Sequence, residues 1–297
     1  MLCLRYGLCS IVVEACDEVM GRHVQQVAQG YRSLMQTHRP RTVCTLMVIS
    51  PYAATSAGPK WRAISAAWVQ ARQGLRDPHS QSLAAWRALE QFGKPVNPSV
   101  LLFEDRDAGQ DHFFSLVPAD TLRHPWQLSL WIIEATKAVA LQWHVAHGGA
   151  PLHASGVARQ GKGYLFLGPS GAGKSTVAGL SQQAQGIVIH DDQVVLSLHR
   201  GHYRIAYAGS HAAHVLQAVF LLRKGSANRL TPLSPPQLCA SLSRALLQYA
   251  IGREHYGPWV RQAFHNVAAI ARSVPGYQLH FRESPEFWDV IDAELGN

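Results

Sequence analysis

The sequence predicts an α/β fold in two parts: a smaller mixed α/β domain over residues 1–125 and a larger domain over residues 126–297. Three observations predict it. Short apolar runs rich in β-branched residues alternate with helical stretches through the second half. One such run, ending in Tyr164-Leu165-Phe166-Leu167, passes through a glycine-rich loop directly into a helix. The chain is 297 residues long, 47% hydrophobic and only 15% charged, enough for two apolar cores and unlike a disordered composition.

In the N-terminal part, residues 43–49 form an apolar, β-branched run closed by Ser50-Pro51, which reads as a strand. Residues 65–74 and 83–92 read as helices anchored by Trp68, Trp86 and Leu89, and Gly93-Lys94-Pro95 breaks the second. Residues 100–103 and 113–117 read as strands. His124-Pro125 then opens a long helix, with proline in the first turn, where its missing N–H costs nothing. That helix runs to about His147, stops at Gly148-Gly149, and is apolar on nearly all sides, which predicts burial. It carries Glu134 and Lys137, each costing ~2.5–3.5 kcal/mol at a bilayer centre, so no membrane span is expected.

Beyond it, residues 151–158 and 163–167 read as strands, 174–183 as a helix, and 186–189 as a strand ending at His190-Asp191-Asp192. Further strands are expected at 194–198, 203–206 and 215–222, helices at 235–251 and 259–271, a strand at 277–281 and a last helix at 285–295.

The loop Gly168-Pro169-Ser170-Gly171-Ala172-Gly173-Lys174-Ser175-Thr176 satisfies G-x4-G-K-[ST]. Its glycines permit positive φ and let successive N–H groups converge on phosphate oxygens, aided by the start of the following helix. Lys174 supplies a point charge for the β and γ phosphates, Ser175 a hydroxyl for Mg²⁺, and Thr176 a second hydroxyl beside it. Set between a strand and a helix, the pattern predicts binding of ATP with Mg²⁺.

Sixteen residues separate Lys174 from Asp191, so two adjacent carboxylates, Asp191 and Asp192, follow the loop helix at the end of the next strand. Neighbours on a strand point to opposite faces, so both reach one site only where the strand ends or kinks. Together near a metal, one would hold Mg²⁺ and the other take the proton of an attacking hydroxyl; alternatively one binds the metal and the other faces solvent. Two close carboxylates titrate as a pair, and the spacing does not say which is the base.

These residues carry a family resemblance. Leu152-His153-Ala154-Ser155-Gly156-Val157, the phosphate loop and Asp191-Asp192 together look like the core of the HPr kinase/phosphorylase-like serine kinases, whose fold is related to phosphoenolpyruvate carboxykinase. The likeness is strong over residues 150–200 and looser to about 290. It implies that His153 sits beside the phosphates and assists the acidic pair; the lesser alternative is a buried structural histidine. It implies roles for Lys174, Ser175, Asp191 and Asp192 in nucleotide binding, metal binding and proton transfer, and transfer of phosphate to a serine of a protein or peptide. The glycine-rich Leu-Asp signature and the Arg-Pro-Gly-Arg-Asn-like loop of true HPr kinases are missing, and His190 stands where the family commonly has alanine. The chain thus looks closer to divergent HPr-kinase-related proteins, some of which resemble tailoring kinases of ribosomally made peptides, such as lasso-peptide kinases. Members of the family form rings or dimers, which implies a homo-oligomer, though no sequence feature marks an interface.

The remaining features point to little chemistry. Net charge is +8 without a dense basic run, so a solvated basic surface is expected and no nucleic acid partner. The five cysteines form no CxxC pair, and residues 1–20 are interrupted by Arg5, Glu14, Asp17 and Glu18, which suits reduced thiols in a cytoplasmic protein. The spaced pairs His144/His147, His199/His202 and His211/His214 have no companion ligands to complete a zinc set. A serine kinase is the leading expectation; a nucleotide-binding switch and a small-molecule kinase are the alternatives that the same residues allow.

Overall fold

The computed structural model describes residues 2–6, 8–30, 44–50, 57–74, 77–108, 111–207, 212–250 and 259–296. It is a mixed α/β structure that divides into two compact units, Met1–Trp143 and His144–Asn297.

The first unit is built on a six-stranded sheet in the order β1-β2-β3-β6-β5-β4. The strands are β1 Leu2–Tyr6, β2 Cys9–Ala15, β3 Cys44–Ile49, β4 Gly93–Asn97, β5 Leu102–Asp105 and β6 His112–Leu116. β2, β3 and β6 are mutually parallel at its centre, and hairpin partners flank them. The helices are α1 Glu18–Gly30, α2 Pro59–Arg72, α3 Pro78–Leu89, the single turn α4 Ala119–Leu122, and α5 Pro125–Ala146. Ser65 on α2 donates to Ser50 O at 2.6 Å, fixing the helix to the end of β3. Lys60, in the first turn of α2, bridges Asp105 and Asp107 at 2.5 and 2.7 Å.

Two readings of this unit need correction. Gly93-Lys94-Pro95 does end the helix before it, but it also forms strand β4. That strand lies at the sheet edge, where a proline removes no shared ladder bond. Helix α5 is buried along most of its length, yet Trp126 and Leu130 near its start are 66% and 53% exposed. Among the described residues no helix is long and apolar enough to cross a membrane. Val43, Pro51, His211 and Ile251, which bounded or belonged to expected features, lie outside the described residues.

The second unit carries strands β7 Ala150–His153, β8 Ser155–Arg159, β9 Lys162–Leu167, β10 Ile187–His190, β11 Gln193–His199, β12 His202–Ala206, β13 Ala213–Lys224, β14 Arg229–Pro232 and β15 Gly276–Phe281. Its helices are α6 Lys174–Gln183, α7 Pro235–Ala250, α8 Trp259–Ser273 and α9 Phe287–Leu295. The sheet runs β10-β8-β9-β13-β12-β11-β7, with β15 added beside the second half of β13 and β14 beyond it. β9, β13 and β15 are parallel.

Residues 151–158, expected as one strand, are two, because Ala154 breaks the ladder between β7 and β8. The chain breaks again at Asp191-Asp192, between β10 and β11. Both breaks occur at the same corner: Gly156 pairs with His190, His153 pairs with Gln193, and Ala154 N donates to Asp192 O at 3.1 Å. The sheet folds over on itself there. The layers touch closely at Gly163, where a Cβ would lie 2.3 Å from Ile205 Cγ2, so only glycine fits.

The core on the α6 side of β9 and β13 is aromatic: Tyr164, Phe166, Phe220, Phe281, Phe287 and Trp288 are at most 1% exposed. Burying each such side chain contributes about 2–3 kcal/mol. Arg159 locks α9 onto β8 by donating to both oxygens of Asp292 at 2.7 Å, with its guanidinium over the Trp288 ring. This apolar floor fixes β9 and α6, and through them the loop between.

Candidate phosphate-binding site

β9 is buried on both faces, as its continuous apolar run requires, and it delivers the chain to Gly168 at the carboxyl ends of the parallel strands. The loop closes on itself through Ala172 N, which donates to Pro169 O at 3.1 Å. Gly173 is the residue before α6, with φ +100°; a Cβ there would lie 2.6 Å from Phe281 Cζ, so conformation and space both demand glycine. No side chain caps α6. The first intrahelical bond of α6 is Val177 N to Gly173 O at 2.8 Å, so the N–H groups before it have no intrahelical acceptor, and an added Cβ at Gly171 would meet nothing within 4 Å. Ser170 and Ser175 are exposed, and Thr176 is half-buried.

Lys174 is buried, its Nζ donating to Gly168 O at 2.9 Å and Pro169 O at 3.3 Å. Burial pulls its pKa below the ordinary lysine value, and the Asp192 carboxylate, acting through space, opposes the shift. The ammonium therefore lies within the field of Asp192 while resting on the loop's own carbonyls.

Asp191 and Asp192 occupy the interval between two strands, the geometry that permits neighbouring carboxylates to escape strand alternation. Both side chains are about half exposed. Asp192 Oδ1 lies 2.9 Å from Nδ1 of His153, the last residue of β7. Nδ1–H donates in this pair, since the carboxylate oxygen can only accept.

His190, which sequence reasoning noted only as a departure from a family pattern, shapes the corner. Its Nδ1 accepts from Asp192 N at 3.1 Å and Gln193 N at 2.9 Å. An imidazole nitrogen that accepts two N–H groups carries no proton, so the 4.0 Å approach of His190 Nδ1 to Asp191 is no ion pair. The ring stacks on Tyr207, with centroids 4.2 Å apart. The signal was present: an acceptor side chain two and three residues before the N–H groups it binds is a turn signature when the residue is Asp or Ser, and histidine performs it here.

Ser155 was also missed. It faces the α6 layer, on the same face as its strand neighbour Val157 and its cross-strand partner Phe166. Its hydroxyl is fully buried and has no hydrogen-bond partner among the described residues, a costly state for a polar group. Lys224, the last residue of β13, pairs at 2.7 Å with Glu283, two residues past β15, and its Cε lies 3.6 Å from a Cβ built on Gly173. They lie 48 and 107 residues beyond Thr176, the last residue of the loop, and the parallel alignment of β9, β13 and β15 carries the chain back to it.

The histidine pairs have other surroundings. His144 is buried with Nδ1 2.6 Å from Ser197 Oγ, and His199 and His202 face each other across the β11–β12 turn. Among the described residues no three His, Cys, Asp or Glu side chains converge to hold a metal ion. The hard oxygen donors Ser175, Asp191 and Asp192 nonetheless suit magnesium, which keeps waters and phosphate oxygens in its shell and is seldom caged by protein alone. Compared with models of known protein families and with curated protein sequences, the chain matches none.

Proposed function

We propose that the second unit is a phosphate-loop kinase that transfers the γ-phosphate of ATP to a serine hydroxyl of a protein or peptide, in the manner of the HPr kinase/phosphorylase-like enzymes it resembles. The observation that carries this reading is the linkage of three parts. An uncapped loop helix, a buried lysine and a histidine-held carboxylate belong to one electrostatic unit, because Lys174 feels Asp192 and Asp192 pairs with His153.

Each residue has a task in this reading. The N–H groups of the loop and of the first turn of α6 orient the phosphate chain. Lys174 exchanges two neutral carbonyl acceptors for phosphate oxygens, a stronger charge-assisted interaction. Ser175 and Asp191 would hold magnesium, which supplies charge neutralisation on the phosphates when bound. The serine oxygen forms its bond to the γ phosphorus, the bond from that phosphorus to the bridging oxygen breaks, and the hydroxyl proton passes to Asp192. His153, donating to Asp192 Oδ1, keeps the carboxylate oriented and offers Nε2 as onward acceptor. The unit formed by Met1–Trp143 would recognise the acceptor.

The test is Asp192→Asn. Transfer is expected to fall by about 10²–10⁴-fold, the range of general-base catalysis, with Mg-ATP binding retained. Unchanged transfer sinks the assignment. Retained ATP binding with no transfer by wild type to any protein, peptide or small hydroxyl acceptor would instead identify a nucleotide switch.

A further inference from the structure

We propose that Lys224 is a second phosphate-binding cation of this site, held by Glu283 until the nucleotide arrives; the inference rests on the kinase reading above. β13 and β15 are parallel and their last residues, Lys224 and Phe281, are register partners. β9 ends at Leu167, opposite Leu221, so β13 and β15 run three residues past the point where the glycine loop begins, at the carboxyl ends of the parallel strands, where open α/β sheets take their ligands. A Cβ built on Gly173 would lie 3.6 Å from Lys224 Cε, so the lysine stem passes beside the left-handed glycine that opens α6. The ammonium is one bond further along.

The partner makes this a switchable contact. Lys224 Nζ donates to Glu283 Oε1 at 2.7 Å, with both side chains more than half exposed, and an ion pair this wet holds weakly. A phosphate chain on the loop offers more negative charge at closer focus, which draws the ammonium away from Glu283. The backbone need not follow. Gly225 N donates to Phe281 O at 2.9 Å and Arg282 N to Asn228 Oδ1 at 2.9 Å, which pins the segment after Lys224 to β15. Arg282 itself is engaged by Glu286. Once Lys224 leaves, the Glu283 carboxylate stands near the phosphates as a like charge, so it opposes binding twice: as competitor and as repeller.

The pair therefore predicts effects of opposite sign, measured as Mg-ATP and adenosine affinities of the full chain by calorimetry at two salt concentrations. Lys224→Met should weaken ATP about ten-fold and flatten its salt dependence, while Lys224→Arg keeps most of the affinity. Glu283→Gln should tighten ATP about two- to three-fold. Adenosine, lacking phosphate, should bind all variants alike. ATP affinity unchanged in Lys224→Met, or weakened alike by Lys224→Met and Glu283→Gln, overturns the proposal, the second result marking a pair that only shapes the loop. Wild type that fails to bind ATP removes the kinase reading as well, whereas binding insensitive to Lys224 removes this inference alone.

Discussion

Each unit contains a central strand that runs directly into a helix, and the two treat the start of that helix in opposite ways. In the first, β2 passes to α1 through Cys16-Asp17, and the Asp17 carboxylate accepts the Met20 N–H at 2.9 Å. The helix start is closed by its own chain, as an N-cap should close it. In the second, β9 passes to α6 through six residues rich in glycine, and no side chain caps the helix. The first unit thus satisfies one helix-start N–H, that of Met20, with its own side chain, and the second satisfies none of those of α6 that way. Fold class does not separate the units, since both are mixed sheets with parallel strands at their centre. What separates them is whether the polar groups at the strand ends are already engaged.

Substitutions at the two junctions sharpen the contrast. The largest effect on stability is expected at Gly173→Ala, which forces a Cβ against Phe281 at φ +100° and should cost about 3 kcal/mol or more, together with nucleotide affinity. A melting temperature equal to wild type would mean that the loop is not held as described. Asp17→Ala, losing its cap, should cost about 1 kcal/mol in denaturant unfolding and leave nucleotide affinity untouched. A change in ATP binding there would break the division of labour between the units.

The smallest effect carries the most informative sign. Because the folded-state pKa of Lys174 lies below its unfolded value, the unfolded chain binds more protons in the window between them. Stability gained at this residue therefore rises with pH through that window and is smallest below the folded pKa. Lys174→Met should consequently melt no lower than wild type at neutral pH, while ATP affinity falls roughly a hundred-fold, the loss of a strong charge-assisted interaction. A clear drop in melting temperature would show that the lysine is there for the fold.

Legibility followed sequence distance. The loop and α6 could be read from one local pattern, and the helix span of 174–183 is the one observed, because the loop and the helix it opens are contiguous; the packing of Phe281 against Gly173 was not legible that way. The break at Ala154 was invisible, since nothing in Leu152-His153-Ala154-Ser155 signals a bend; the corner exists because β10 and β11 break opposite it. The N-terminal β1, β2 and α1 were not assigned, although Asp17 followed by Glu18 is a helix-start signal. In the site, the glycine loop and the start of its helix at Lys174 were legible. The place of His153 beside the acidic pair was reached only through resemblance. Lys224 was not reached at all, because its position depends on strand pairings between distant segments, and His190, whose contacts are local, was passed over because histidine is an unusual residue for that turn.

The most direct test of the central claim is transfer of the γ-phosphate from labelled ATP with Mg²⁺ into an extract of the source cell, comparing wild type with Lys174→Ala. A labelled protein or peptide seen with wild type and absent with the variant is the predicted result. Equal labelling with both, or none with wild type although it binds ATP, would contradict the assignment of this loop to a protein or peptide kinase.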